Sequence, residues 1–255
     1  VKNRQLLIDG DVVLYINSIA VETEFDWGDD VWTLHSDLQT AKQLTKVWMD
    51  NLEEDLNAST PSVVAFSDKL NFRKQILPTY KYHRKKHRKP LAFKPLKKYM
   101  EETWESKSLK WCEADDVLGI LQTDPAMAVN ETVIVTIDKD LRTIPGLHYN
   151  PMKPDEGVVE VTKEQATYNH LYQTLTGDSV DGFKGCPGIG PVRAKRILNS
   201  DCSWETVVKS YGGAGMDEGA AMIQAQVARI LHHTEYNYKK EEVLLWSPSS
   251  TATTC

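Results

Sequence analysis

The chain has 255 residues, 41% of them hydrophobic and 26% charged, which is the composition of an ordinary globular protein long enough for one large domain or one domain with a sizeable appendage. No apolar run approaches the ~18 residues needed to cross a bilayer, and the opening VKNRQLLIDGD lacks both a signal-peptide apolar region and a small-residue cleavage site, so a cytoplasmic protein without a membrane partner is expected. A net charge of −6 argues against a nucleic-acid partner only if it is spread evenly. It is not: between Lys69 and Met100 there is no Asp or Glu, yet 12 of the 30 Lys and Arg lie there. Phosphate binding needs a local positive field rather than a positive total.

In chain order, residues 5–8, 62–66 and 132–137 are apolar, β-branched runs, each ending in a carboxylate or Ser–Asp. Short continuous runs of this kind predict buried strands of a parallel sheet. Between the first two, Leu38, Ala41, Leu44, Val47, Trp48, Leu52 and Leu56 recur at helical spacing, and residues 114–129 read as another helix behind the acidic group Glu113, Asp115 and Asp116. The alternation predicts an α/β domain with a mainly parallel sheet. Residues 147–149 and 157–161 suggest two more strands. After about residue 163 the signals turn helical, at roughly 163–175, 191–199, 203–211 and 217–233. The expected division is a core at 1–162, a helical region at 163–246 and a flexible tail at 247–255. Cys112, Cys186, Cys202 and Cys255 are scattered without a C-x-x-C pair, which argues against zinc and against a disulfide framework.

Nine acids stand out: Asp9, Asp68, Glu113, Asp115, Asp116, Asp138, Asp140, Asp178 and Asp181. Singly, each has a structural reading. Asp9 suits a turn before Gly10, Asp68 a cap, the 113–116 group the positive end of a helix, and Asp178 with Asp181 a solvated helical face. Together they are harder to dismiss. Asp9, Asp68 and Asp138 each close a predicted parallel strand, the edge where open α/β sheets bind ligands. Asp138 and Asp140 would point to one side of an extended strand. Converging like charges raise each other's pKa and oppose folding unless cations intervene. Oxygen ligands without His or Cys point to Mg²⁺ or Mn²⁺, and two such ions can activate water against a phosphodiester.

The run Lys81, Tyr82, His83, Arg84, Lys85, Lys86, His87, Arg88 and Lys89, with Tyr80 before it and Phe93, Lys94, Lys97, Lys98 and Tyr99 after it, interleaves aromatics with cations. A charge run is commonly just a solvated helix or loop. The aromatics favour single-strand binding, where bases stack and cations track phosphates. Further on, GCPGIGPVRAKR packs three glycines and two prolines before a basic helix. Pro191 suits a first helical turn. Amides exposed by Gly188 and Gly190, with Arg193, Lys195 and Arg196 downstream, read as a contact to duplex backbone rather than a mere tight turn.

With these stretches in view, the chain resembles the flap endonuclease / 5′-3′ exonuclease family, PIN-like 5′-nucleases that include the 5′-nuclease domain of bacterial DNA polymerase I and stand-alone phage enzymes. The matching stretches are LLIDGD at 6–11, AFSD at 65–68, FRKQILPTYKYHR at 72–84, EADD at 113–116, TIDKDL at 136–141 and GDSVDGFKGCPGIGPVRA at 177–194. They occur in family order, and the similarity is to the phage type. The resemblance implies a PIN-like α/β nuclease fold with a helix-three-turn-helix element at about 182–199. It implies one metal near Asp9, Asp68, Glu113, Asp115 and Asp116, and another near Asp138, Asp140, Asp178 and Asp181. Lys81 and Arg84 match the family's active-site basic pair. The run from about 83 to 100 falls where the family has a helical arch, and the hairpin is where it tends to carry K⁺. Val192 and Arg193 stand where relatives often have Lys-Thr, which shifts the basic contact to Arg193. The region after Ser210 matches only weakly.

The expected function is therefore a structure-specific 5′-nuclease, acting by two-metal catalysis with Asp138 central, and leaving 5′-phosphate products in DNA replication, repair or phage DNA metabolism. Its partners would be DNA with 5′ single-stranded ends, flaps or nicks, together with RNA–DNA hybrids, met by a monomer. A PIN-type ribonuclease shares the acidic centre, and a non-catalytic DNA binder shares the fold; the hairpin argues against the first and the intact acids against the second.

Overall fold

The computed structural model describes residues 3–83 and 88–248. Strand β1 (Arg4–Asp9) leads into helix α1 (Gly10–Ala20), a hairpin of β2 (Glu22–Asp26) and β3 (Trp32–Ser36), and helix α2 (Leu38–Asp55). Then come β4 (Val63–Ala65), α3 (Arg73–Ile76), α4 (Phe93–Thr103), β5 (Glu105–Lys107) and α5 (Ala114–Gln122). Strands β6 (Glu131–Val135), β7 (Gly146–Tyr149) and β8 (Val158–Val161) follow. The C-terminal part carries α6 (Lys163–Thr176), α7 (Pro191–Ser200), α8 (Trp204–Gly213), α9 (Glu218–Ala228) and a small pair, β9 (Tyr236–Asn237) and β10 (Glu242–Val243).

Six strands form one sheet in the order β5-β4-β1-β6-β7-β8, parallel except for the edge strand β8. The central strands are apolar on both faces because both faces are covered. Leu6 and Ile8 of β1 meet Val13, Leu14, Ala41, Met49, Leu96 and Met100 of the helices on one side. Leu7 and Ile134 face Val117, Leu118 and Ile120 of α5 on the other, together with Ile230 and Leu231 from beyond α9. A separate apolar cluster joins α6, α7, α8 and α9 around Leu171, Leu198, Tyr211 and Trp246. Among the described residues no helix is long and apolar enough to cross a membrane.

Several expectations about local structure are corrected. The 132–137 strand stops at Val135, and Asp138 instead caps a 3-10 turn (Lys139–Thr143). The helix expected over 114–129 ends at Gln122, and a 3-10 turn begins at Pro125, which cannot donate to a continuing helix. Within α2 the buried stripe is Ala41, Thr45, Met49 and Leu52, while Leu44 and Val47 are exposed. Helix α1 was not foreseen because Val12, Val13, Ile16 and Ile19 blur its helical signal with β-branched side chains. Strand signals do not stop at residue 163, since β9 and β10 pair.

Candidate active site

The parallel strands β1, β4 and β6 end on one edge of the sheet, and the functional side chains gather there. Asp9 is both the last residue of β1 and the N-cap of α1, accepting from the Val12 amide at 3.2 Å. Gly10 follows because α1 starts hard against β4: a Cβ there would lie 2.6 Å from the Ala65 carbonyl oxygen. Across the strand, the Thr136 hydroxyl donates to Asp9 at 2.9 Å. Asp138 accepts from the Asp140 amide at 2.8 Å, so a capped turn, rather than strand alternation, brings the 138–140 pair together.

The third contribution is the start of α5. Glu113 is its N-cap, and its own amide donates to Asp116 at 3.0 Å in a capping box. Asp115 and Asp116 are neighbours in sequence with opposite surroundings. Asp116 is fully buried and grips Arg73 with both oxygens at 2.7 Å while also accepting from the amides of Glu113 and Leu231. Arg73 is likewise buried, and donates further to the carbonyls of Val227 at 2.9 Å and Arg229 at 2.5 Å. Asp116 is thus corrected from metal ligand to structural anion: each of its oxygens already accepts two donors.

The loop between α6 and α7 supplies the fourth. Its entry depends on Gly177 (φ 66°) and Gly185 (φ 65°), which meet backbone to backbone: a Cβ on Gly185 would lie 2.3 Å from the Gly177 nitrogen. In this loop Asp178 accepts from the amides of Val180 and Asp181 at 2.6 and 3.2 Å, so the two acids share a turn instead of a helical face. Lys81 is held in the left-handed region (φ 50°), with its amide donating to the Asp181 carbonyl at 2.8 Å. Its ammonium reaches Glu113 at 2.8 Å and Asp181 at 3.4 Å. Beside it, the Tyr80 hydroxyl lies 2.8 Å from Glu113 and 3.0 Å from Asp181.

The electrostatics divide the acids. Burial, then Asp11 and Asp138, push Asp9 up to about 7 against the lowering effect of Thr136 and the Val12 amide. Burial, then Asp9 and Asp138, raise Asp115 well above the ordinary range. Burial, Asp138 and Asp178 lift Asp140 to about 6. Glu113 goes the other way: burial opposes its charge, but Lys81 and Arg73 hold it at about 2. Asp138 thus acts on Asp9, Asp115 and Asp140 alike, Asp9 acts on Asp115, and Asp178 and Asp181 act on Asp140. Glu113, Asp115, Asp138, Asp140 and Asp181 line one cleft. Asp68 stands aside from them, with the amides of Trp111, Lys69 and Leu70 lowering its pKa against burial. Among the described residues no three acids, His or Cys are gathered tightly enough to chelate one ion as they stand.

The basic stretch is less uniform than its sequence. Arg84, Lys85, Lys86 and His87 lie outside the described residues. Tyr80 is 3% exposed, so the expectation that it stacks on a base is corrected: its ring is packed and its hydroxyl orients acids. Tyr82 and His83 are exposed, Lys89 lies over the Phe93 ring at 4.1 Å, and Arg88 is paired with Glu22. On the far loop Gly188 and Gly190 face open space, and Arg193, Lys195 and Arg196 are exposed along α7. Sequence reasoning missed Asp11, Thr136 and Arg73. The second carboxylate of IDGD was an available signal, whereas Arg73 is one of 12 cations in its acid-free stretch and nothing local sets it apart.

Residues 4–170 match the 5′-3′ exonuclease N-terminal, resolvase-like domain. The exodeoxyribonuclease of Enterobacteria phage T3 is 31% identical over an alignment of 282 positions, gaps included, covering 96% of this chain and 93% of that protein. The flap endonuclease Xni of Shewanella oneidensis is 28% identical over 175 residues, 65% of this chain and 67% of that one. Among solved structures, the T5 5′-exonuclease with divalent zinc ions bound superposes with a TM-score of 0.68 at 14% identity, over 89% of each chain, a likeness of fold. Strand-end acids, a lysine set among them and these matches together place the chain in the 5′-3′ exonuclease family, as a 5′-nuclease.

Proposed function

We propose that the protein hydrolyses DNA phosphodiesters from 5′ single-stranded ends, flaps and nicks, using Mg²⁺ or Mn²⁺ held by the strand-end acids. The observation that carries this reading is the group Asp9, Asp115, Asp138 and Asp140, whose mutual repulsion and burial call for positive charge. The donor set fits hard divalent cations, being carboxylate oxygen without His or Cys. Asp9, Asp115, Asp138 and Asp140 would hold the ions, with Asp178, Asp181 and Asp68 acting through water. Such ions supply activation of the attacking water and neutralisation of the charge that grows on the phosphate.

The chain's own residues do the rest. Glu113, with both oxygens engaged by Arg73, Tyr80 and Lys81, keeps the lysine aimed at the cleft. Lys81, 14% exposed, is poised to move from Glu113 and Asp181 onto the scissile phosphate, where Arg84 joins it. Gly188 and Gly190 and the cations Arg193, Lys195 and Arg196 would receive duplex backbone as a helix-three-turn-helix, whose turn would be the place to hold K⁺. Tyr82, Lys89 and the basic residues Lys85 and Lys86 receive the single strand. The core would span 1–162 and the DNA-binding helices 163–246. The working unit would be a monomer acting in the cytoplasm, with RNA strands of RNA–DNA hybrids within its reach.

The test is cleavage of end-labelled 5′-flap, nicked, blunt and single-stranded DNA with Mg²⁺ or Mn²⁺ and with chelator. Metal-dependent 5′-phosphate products, absent in Asp138→Ala, are expected. Full activity of Asp138→Ala, or tight binding without turnover in either metal, would overturn the reading, and cleavage of RNA alone would favour a ribonuclease.

A further inference from the structure

The β2–β3 hairpin stands apart from the main sheet as a two-stranded unit of its own. Along β2, Glu22, Glu24 and Asp26 alternate and so share one face. That face meets the downstream end of the basic stretch. Glu22 accepts from Arg88 through both terminal nitrogens, at 3.0 and 2.7 Å, and from the Leu91 amide at 2.8 Å. Glu24 adds a longer contact to Arg88 at 3.8 Å. The Glu22 side chain is 11% exposed, and the contact bridges 66 residues of sequence. A forked pair of this kind specifies orientation as well as attraction. Just beyond, Ala92 and Leu96 enter the core, so the chain is rooted there. The upstream end is rooted separately, by buried Tyr80 and by Lys81 among the acids.

We infer that Glu22 is a positioning residue, and that the hairpin is a fixed post setting where the downstream arm, Arg88–Leu91, stands relative to Lys81. Arg88, its side chain half exposed, is then an anchor before it is a phosphate contact, since the forked face of its guanidinium is turned to Glu22. The post lies one helix away from the reacting edge: α1 runs from Asp9 to the hairpin over 11 residues, about 16 Å. An anchor at that distance acts on how a 5′ single strand is received and leaves the acids untouched. This rests on the reading of the basic stretch as the path of a 5′ strand.

Two measurements on the full chain test it. The first is a double-mutant cycle of Glu22→Ala and Arg88→Ala on 5′-flap DNA, with melting temperature as a check on folding. An anchor predicts that each single change and the double change raise KM by the same roughly three- to tenfold, with kcat little altered. Were Arg88 a phosphate contact that Glu22 merely restrains, Glu22→Ala would lower KM, and that result, or simple additivity, overturns the inference. The second is limited trypsin digestion, following the cut after Arg88 by mass spectrometry. Glu22→Ala should speed that cut severalfold, and an unchanged rate overturns the inference whether or not the protein cleaves DNA. Failure of the wild type to cut any DNA would count against the nuclease reading, leaving the trypsin result to decide the anchor.

Discussion

Asp115 and Asp116 are adjacent in the chain, belong to one four-residue motif and open the same helix, yet they sit in opposite electrostatic worlds. Asp116 is sealed behind α5 with Arg73 in its grip, and the pair ties the start of α5 to the carbonyls of Val227 and Arg229. Asp115 faces the cleft, where burial, Asp9 and Asp138 raise its pKa. One acid is fully compensated by the protein, and the other is not. The difference teaches that a carboxylate's role follows from who neutralises it, and that a helix turning by 100° per residue is enough to separate the two fates. The same wall explains the segment beyond α9: Ile230 and Leu231 pack behind α5, and the Leu231 amide donates to Asp116, so this region backs the active site.

The comparison can be broken most sharply at Asp115. Asp115→Asn should lower cleavage on the order of 10²–10³-fold, while raising the melting temperature in chelator, because a repelled buried charge is removed. A loss of both activity and stability would show that Asp115 is structural after all. Asp116→Asn should do the reverse in kind: urea unfolding should reveal a loss of about 3–5 kcal/mol, the penalty for stranding a buried partner. A stability change below about 1 kcal/mol would mean that Arg73 is not anchored there.

The smallest effect concerns pH. Asp9 at about 7 and Asp140 at about 6 bind protons more tightly in the folded state than the unfolded carboxyl near 3.8 does. Between those values the folded state holds more protons, so stability without metal should fall as pH rises from about 4 toward 7 and stay low above it. Glu113, held at about 2, contributes oppositely, and only as pH drops below 4.5. Divalent cations bind the ionised acids, so the rise in melting temperature on adding Mn²⁺ should be larger at pH 8 than at pH 5.5. Calorimetry showing an equal rise at both would dissociate the acids from the metal.

Much of this was legible in the chain. The runs around Leu7, Val64 and Ile134 had to be buried strands, because unbroken apolar β-branched segments with acids at their ends have few other uses in a globular protein. The family motifs brought Asp9, Asp115, Asp138, Asp140 and Lys81 to attention, and all five stand at one edge of the sheet. Pro191 opens α7, as its place in the sequence suggested. Illegible were those features that depend on partners far away in sequence. The commitment of Asp116 to Arg73 spans 43 residues, and that of Arg88 to Glu22 spans 66. Nothing local announces either one.

By itself, then, the sequence determined the strand–helix alternation, the parallel sheet, the acids at its edge and the family to which the chain belongs, because periodicity, capping and motif spacing are local properties written residue by residue. Tertiary structure alone decided which acids stay uncompensated, that Tyr80 and Arg73 serve from within, that Asp138 and Asp140 meet through a capped turn, and that Glu22 of a hairpin pairs with Arg88. Those outcomes are set by burial and by the arrival of opposite charge from distant segments, and neither exists until the chain has folded.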